Sequence, residues 1–342
     1  MSTTLPEAPA VAGPGRRGVR GRGGVARFVL RRVLLGALTL AVISVIVFAA
    51  TQLLPGDPAR ARLGKNATPA AVAAIDQRLG LKRPALTQYL DWAGGLLHGN
   101  LGISLASEHP IWDDLGPRVY NSAFLVLVSA LFSIPLAILI GSFAALHRDG
   151  LFDEISAFVQ RGLAALPEFV VGLLLIALFA TTVFKGLLPA VSIIPPGADP
   201  YYDLSKIWLP VATLVAAVTP NVALIMRASM IEVLESDYVE MARLKGVPER
   251  QVVWRHALPN ALGPAFQVIA LNLAYLAGGV IVVESVFSYS GIGVAMRDAV
   301  LNRDFTTAQA VAMMIAAVYV VTNLVADVAT ILVTPRLRTR LQ

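Results

Sequence analysis

Apolar residues arrive along this chain in runs too long for the core of a water-soluble domain. Six stretches reach the roughly 20 mostly apolar residues that a helix needs to cross a bilayer. They are Val33 to Leu54, Ala123 to Leu146, Ile155 to Phe184, Ile207 to Met226, Ala265 to Val283 and Thr307 to Val333. The first contains no charge, whereas the third is over-long, holds Arg161 and Glu168, and has Pro167 near one end. The short alternating segments of a membrane β-barrel are missing. The pattern predicts an all-α integral membrane protein with six transmembrane helices.

The polar segments between these runs carry patterns of their own. In the segment after the first run, Leu54-Pro-Gly-Asp-Pro58 predicts a firm turn, and Thr68 stands as an N-cap before helical spacing over Pro69 to Leu79, stopped by Gly80. Leu86 to Leu97 predicts another short helix, so this region reads as a compact cap over the bundle. Between the fourth and fifth runs, Arg227 to Ala261 reads RASMIEVLESDYVEMARLKGVPERQVVWRHALPNA. Its helical charge spacing, Gly-Val-Pro break and closing Leu-Pro predict two short helices at an angle. They form a charged knob outside the membrane, suited to taking instructions from a soluble partner. The chain thus divides into a disordered arginine-rich tail (1–27), a first transmembrane helix (28–54), a cap region (55–121), a five-helix core (122–334) containing the charged loop 227–264, and a short tail (335–342).

Composition agrees with this division. The chain is 56% hydrophobic and 15% charged, where a soluble domain carries about a quarter charged residues. The net charge of +6 comes from arginines beside apolar spans, which topology and anionic headgroups explain better than nucleic-acid binding. The absence of cysteine excludes disulfides, thiol catalysis and thiolate metal sites. Arg16, Arg17, Arg20, Arg22, Arg27, Arg31 and Arg32 precede the first span, and Arg336, Arg338 and Arg340 follow the last. Arg148, Arg227, Arg243, Lys245, Arg250 and Arg255 fall on the same side, against Lys185, Lys206, Arg297 and Arg303 in the short opposite loops. The positive-inside rule places both termini and the knob in the cytoplasm. The first apolar run exceeds a signal h-region and reads as a retained helix. His98, His109, His147 and His256 read as loop residues without metal-ligand spacing, and no span offers a Ser, His and Asp constellation.

At the knob the pattern becomes specific. Glu240, Ala242 and Gly246, then nine residues, then His256, Ala257, Leu258 and Pro259 resemble the EAA loop of bacterial ABC importer permeases. That family pattern is Glu-Ala-Ala, three residues, Gly, nine residues, Ile, one residue, Leu-Pro; here Met241 replaces the first Ala and His256 the Ile. Asp237-Tyr238, Ala242 to Gly246 and Arg255 to Ala261 look like the dipeptide and oligopeptide permeases of the B type. Arg31-Arg32, Leu54 to Pro58, Leu79-Gly80-Leu81, Gln88-Tyr89, Gly99 to Gly102 with Ser104, and Pro167-Glu168-Phe169 with Gly172 match that branch in the same order. The resemblance runs from Phe28 almost to the C-terminus.

This resemblance implies a type I ABC importer permease-like bundle with a large extracytoplasmic loop between helices 1 and 2. It implies a multi-pass subunit of the bacterial cytoplasmic membrane that forms half of an alternating-access path for di- or oligopeptides. The implied partners are a homologous second permease, two ATP-binding subunits or domains and an extracytoplasmic substrate-binding protein, beside membrane lipid; nucleic acid is not among them. ATP and Mg belong on the ATPase subunits. This chain lacks Gly-x4-Gly-Lys-Ser/Thr, since Gly64-Lys65-Asn66 has neither the upstream glycine nor the hydroxyl residue. No cofactor, metal or enzymatic activity of its own is expected. Nickel complexes, glutathione and oligosaccharides are other cargoes of the branch. A secondary transporter would need internal inverted repeats, which are not visible here, and a membrane scaffold would use the knob without transport.

Two groups of candidate residues follow. The coupling loop comprises Asp237, Tyr238, Glu240, Ala242, Arg243, Lys245, Gly246, His256, Leu258, Pro259 and Asn260. Acidic residues ahead of Arg243 and Lys245 suit a helix dipole. Gly246 is placed to end that helix in a left-handed conformation and Pro248 to open the next, presenting Ala242 and Gly246 where a partner must approach closely. The second group is intramembrane: Glu168, Glu284, Asn323 and Asp327, since ionisable groups in apolar spans are expensive. Glu168 reads as capping a broken helix near the cytoplasmic end. Glu284 reads either as a contact for a peptide amine or as a helix-pairing group, and Asn323 with Asp327 as one polar face for inter-subunit hydrogen bonding. Pro167, Gly278 and Gly279 are candidate flex points.

Overall fold

A computed structural model describes residues 21–53, 68–70, 72–73 and 83–333. The turn expected at Leu54 to Pro58, most of the helix expected over Pro69 to Leu79, and both terminal ends lie outside these residues. Among these residues eleven α-helices are assigned, in order: α1 Gly21–Leu53, α2 Ala85–Leu97, α3 Ile111–Leu146, α4 Leu151–Ala164, α5 Glu168–Ile176, α6 Trp208–Leu234, α7 Asp237–Leu244, α8 Glu249–Gln251, α9 Leu258–Phe287, α10 Ile292–Leu301 and α11 Phe305–Val333. Wider π-helical turns extend α5 over Ala177–Thr181 and join α8 to α9 over Val252–Ala257. Among the described residues no β-strand occurs. Among the described residues four helices are long and apolar enough to cross a membrane, and the number becomes six if each of two bent pairs is one span.

Several boundaries depart from the apolar runs for identifiable reasons. Helix α1 starts by Gly21, so the expected tail is already helical over its last residues. Helix α3 begins at Ile111 rather than Ala123 because Ile111 and Leu115 are buried against Ile292, Ala295, Ala310 and Val311. The third run is not one straight span. Pro167 cannot continue a helix through its own position, and α4 and α5 meet there at 107°. Helix α6 continues past Met226 to Leu234, and α9 follows directly from α8, so the expected loop 227–264 shrinks to about the segment between Leu234 and Glu249.

Helix α6 is the centre of the bundle, with 61% of its apolar window buried against 11% for α1 and α11. Lipid gives helices no hydrophobic reason to associate, so close backbone approach through small residues must do it. Helix α3 supplies that face: Ser129, Ala130, Ser133, Ala137, Gly141 and Ala144 are all buried. At Gly141 an added Cβ would lie 2.5 Å from the Ala223 carbonyl oxygen and 2.8 Å from Met226 Cβ. Leu214, Val218 and Val222 of α6 fill the same core with Ile269, Leu276, Val280 and Phe287 of α9. Helix α1 lies outside, along α11. A Cβ at Gly36 would meet Val320 at 2.7 Å, and Gln309 donates to Thr51 Oγ1 at 2.5 Å.

A buried carboxylate organises one end of this bundle. Helix α9 ends at Ser288, which is left-handed at φ 50°, and the chain turns through Tyr289 to Gly291 into α10. Glu284 is wholly buried. Its oxygens accept from Ser122 Oγ at 2.5 Å and from the Gly293 N–H at 2.6 Å. Ser122 Oγ also accepts from the Ile292 N–H at 2.9 Å. Two free N–H groups at the start of α10 are thereby satisfied, that of Ile292 by the Ser122 hydroxyl and that of Gly293 by a Glu284 oxygen. Asn121 donates to the Ser290 carbonyl and Tyr289 donates to the Asn121 carbonyl, closing the turn onto α3. A side chain on Gly291 would overlap the Glu284 carboxylate.

The segment before α3 is fastened at the same end, which is called the cap end below. Tyr89 and Trp92 of α2 pack on Phe48 of α1, with ring centroids 5.4 and 5.8 Å away, and Tyr89 shares a hydrogen bond with Ser44. Asp304, which the sequence reading passed over, is 3% exposed and accepts from Ser104 Oγ at 2.5 Å, the Leu105 N–H at 3.1 Å and Thr307 Oγ1 at 2.8 Å.

Two outcomes test this packing. Gly141→Leu is expected to destabilise the bundle by about 3 kcal/mol or more through overpacking, read as a lower midpoint for heat-induced loss of monodisperse protein in detergent. An unchanged midpoint means α3 and α6 do not depend on their contact. Glu284→Leu, which orphans Ser122 and the Gly293 N–H, is expected to cost about 2–4 kcal/mol in the same assay, and Glu284→Gln distinctly less.

Candidate functional site

Helix α6 leaves the bundle at the end opposite the cap carrying Arg227, a charge that stays helical because it is paired. Arg227 donates Nε to Asp153 Oδ1 at 2.5 Å and Nη2 to Oδ2 at 2.6 Å. Asp153 is only 5% exposed on its side chain, so this forked pair bolts α4 to α6. Just beyond, Arg148 at the end of α3 pairs with Glu235 at the end of α6. The chain then turns at Ser236, whose Oγ donates to the Val233 carbonyl at 2.5 Å rather than capping α7.

Helix α7 sits on a small core of its own, built from Val239, Ala242 and Val252 with Val233 and Val247 packed beside them. Asp237 and Glu240 lie in its first turn and Arg243 in its last. It ends in a Schellman arrangement: Gly246, at φ 76°, donates to the Arg243 carbonyl, and the Val247 N–H donates to the Ala242 carbonyl at 3.2 Å. Nothing lies within 4 Å of a Cβ added at Gly246, so the glycine is required by its backbone angle alone within this chain. Arg243 clamps the far side, donating Nη2 to Glu249 Oε1 at 2.7 Å and Nε to Oε2 at 3.1 Å. The bond from Arg243 holds the Glu249 carboxyl below the usual glutamate range. The clamp's contribution is therefore present at neutral pH and fades only on acidification through that lowered value.

This geometry corrects one expectation. Ala242 is 8% exposed and faces its own chain, because Val252 on the following helix covers it. The outward face of α7 is instead Tyr238, Met241 and Leu244, the last 74% exposed, with Trp254 standing exposed nearby. These large apolar side chains form an exposed stripe on an otherwise polar knob. Met241, Leu244 and Trp254, all exposed, were not among the candidate residues. The helical spacing of Tyr238, Met241 and Leu244 was the available signal, but which side of α7 faces inward depends on Val252. Asp237, Glu240 and Lys245 are exposed around the stripe. His256 lies in the π-helical turn, not in a loop, and its carbonyl accepts from Asn260 Nδ2 at 2.6 Å. Leu258 and Pro259 open α9, with proline where an N–H is not needed.

The intramembrane candidates separate. Glu284 is spent on Ser122 and α10, as above. Asp327 pairs with Arg32 of α1 at 3.1 Å, and Asn323 donates to the Tyr319 carbonyl at 2.8 Å. Glu168 opens α5 and accepts from the Tyr275 hydroxyl of α9. It is not near the knob end: one turn along, Gly172 packs on Thr213, early in α6, and on Phe287, the last residue of α9. The described part of α9 bends by 53° between Leu273 and Gly278, beside Glu168. Among the described residues no group of three or more His, Cys, Asp or Glu is placed to hold a metal.

Comparison with known proteins agrees with this arrangement. Residues 137–339 match the family described as binding-protein-dependent transport system inner membrane component, and residues 25–121 match its N-terminal companion family. A probable peptide ABC transporter permease of Sinorhizobium fredii is 34% identical over 311 residues, 91% of this chain and 99% of that protein. A glutathione transport system permease of Escherichia coli is also 34% identical over 311 residues, covering 98% of that protein. Its counterpart in Shigella boydii is 34% identical over 313 residues. With an exposed apolar stripe on a braced knob, and with both families matched along most of its length, the chain belongs to the binding-protein-dependent transport system inner membrane components, the permease subunits of ABC importers.

Proposed function

We propose that this chain forms half of the translocation path of an importer for di- or oligopeptides. Its six spans count each bent helix pair as one. The knob lies in the cytoplasm with both termini, in a bacterial cytoplasmic membrane, and the cap lies outside. A homologous second permease completes the path, a substrate-binding protein delivers cargo to the cap side, and two ATP-binding subunits or domains bind and hydrolyse ATP with Mg. Support for peptide cargo comes from the Sinorhizobium fredii relative. Glutathione, itself a modified tripeptide, is the second reading, since the Escherichia coli relative is equally similar.

One observation carries the mechanism. The Tyr238, Met241 and Leu244 stripe rides on a helix that the Gly246 turn, the Arg243–Glu249 clamp and the Val239–Val252 core hold rigidly to the end of α6. Such a knob suits docking onto the ATPase. ATP binding would then displace α7, and α6 would carry that displacement into the bundle, rocking the two permeases between outward- and inward-facing states.

The test is a pull-down of the solubilised chain with Leu244→Asp beside wild type. Leu244 is exposed, so the variant folds; burying a charge at the docking surface is expected to lower ATPase recovery by about tenfold or more. Binding-protein-stimulated ATP hydrolysis falls in parallel. Undiminished recovery of the ATPase with Leu244→Asp would falsify docking through this stripe. Gly246→Val, forced into a left-handed turn at a cost of about 1–2 kcal/mol, is expected to weaken recovery less than Leu244→Asp.

A further inference from the structure

Glu168, Glu284 and Asp327 lie within or at the end of the apolar runs of the sequence, and their partners differ in kind. Glu284 takes two donors in a sealed site, and Asp327 has the Arg32 guanidinium. Glu168 has a neutral phenol, Tyr275, and among the described residues no cation within ion-pair distance. It is also not sealed: Glu168 is partly exposed, and Pro167, Phe169 and Tyr275 around it are exposed.

Its depth makes that exposure informative. Gly172 meets Thr213 and Phe287 near the cap ends of α6 and α9, so Glu168 stands about 6 Å further in, one helical turn. A partly exposed carboxylate at that depth cannot face hydrocarbon without a cost of several kcal/mol. The backbone gives a second, independent reason. Hydrogen bonding is interrupted between Ala164 and Glu168, where the two helices meet at 107°. Interrupted helices are tolerated at membrane depth only where protein or water covers them. The bend of α9 lies opposite, and Gly279 brings its backbone close: a Cβ there would sit 3.2 Å from Glu168 Oε1. A helix break and a helix bend thus meet around one polar group, and some membrane transporters place substrate sites at helix breaks of this kind.

We propose that Glu168, oriented by Tyr275, lines the aqueous path between this chain and the second permease and receives the ammonium group of the passing substrate. This rests on the importer reading above. An ammonium carries three N–H donors and no acceptor, so it complements the carboxylate lone pairs that Tyr275 leaves open. A free amino terminus carries a full charge through a poorly solvating region, and a carboxylate there lowers the barrier by offsetting its desolvation. Tyr275 holds the carboxylate toward the path without neutralising it, as an arginine would.

The chain contains no cysteine, so Glu168→Cys introduces its sole thiol. The whole importer, with cysteine-free partners, is placed in proteoliposomes and treated with sulfonatoethyl or trimethylammonium-ethyl methanethiosulfonate. Uptake is followed with the peptide that the wild-type importer carries in parallel. Glu168→Cys is expected to lose uptake by about tenfold while retaining assembly with the ATPase. Both reagents are expected to react, at rates far above Leu127→Cys, an exposed site on α3, and only the anionic adduct restores uptake. Lack of reaction, uptake equal to wild type, or equal effects of the two reagents would overturn the proposal. If Glu168→Cys does not assemble, Tyr275→Cys carries the accessibility measurement, and an unreactive thiol there overturns it too. Failure of the importer reading itself shows separately, as absence of an ATPase subunit from the wild-type complex.

Discussion

The close approach of α3 to α6 is the contact on which the rest of the bundle depends. In a bilayer, two apolar helices gain nothing by leaving lipid for each other unless their backbones come close enough for dispersion contacts to exceed those with acyl chains. Gly141 against the Ala223 carbonyl provides that approach, and the buried run of Ser129, Ala130, Ser133 and Ala137 extends it. Because α6 is held from one side by α3, its other sides are free to receive α4, α5 and α9. Larger residues on α3 would leave α6 no fixed position for them to pack against.

From that centre the two ends serve different tasks. At the cap end, the buried carboxyl groups of Glu284 and Asp304 accept hydrogen bonds that tie loops and helix starts to the bundle. At the knob end, charge pairs instead join helices to each other: Asp153 to Arg227, Arg148 to Glu235 and Arg243 to Glu249. The result is a stiff unit of α3, α4, α6 and α7 that ends abruptly at Pro167. On the proposed coupling, motion received at α7 would be released where the helices break or bend, at the junction of α4 with α5 and at the bend of α9 beside Glu168.

Much of this was legible in the sequence because it depends on local rules. Hydrophobic runs located the long helices, Pro167 marked the break, and Gly246 marked the end of α7 from its neighbours alone. What was not legible depends on which residue meets which across distant segments. Ala242 was expected to face outward, and Val252 turns it in. Asp304 sits in a short linker with no apolar context, so nothing nearby signals that Ser104 will find it. The face shared by Asn323 and Asp327 was readable, but its partner Arg32, from the far end of the sequence, was not. Glu168 was recognised as costly, yet its depth follows only from where Gly172 packs.

The most direct measurement of the stiff unit is the separation of paired spin labels in the assembled importer, with and without ATP and loaded binding protein. The absence of native cysteine allows two pairs, Glu240→Cys on α7 with Phe158→Cys on α4, and Phe158→Cys with Leu173→Cys on α5. The first distance is expected to stay constant through the cycle while the second changes. A change in the first with a constant second would contradict it, because α7 would then move independently of the helices it is clamped to.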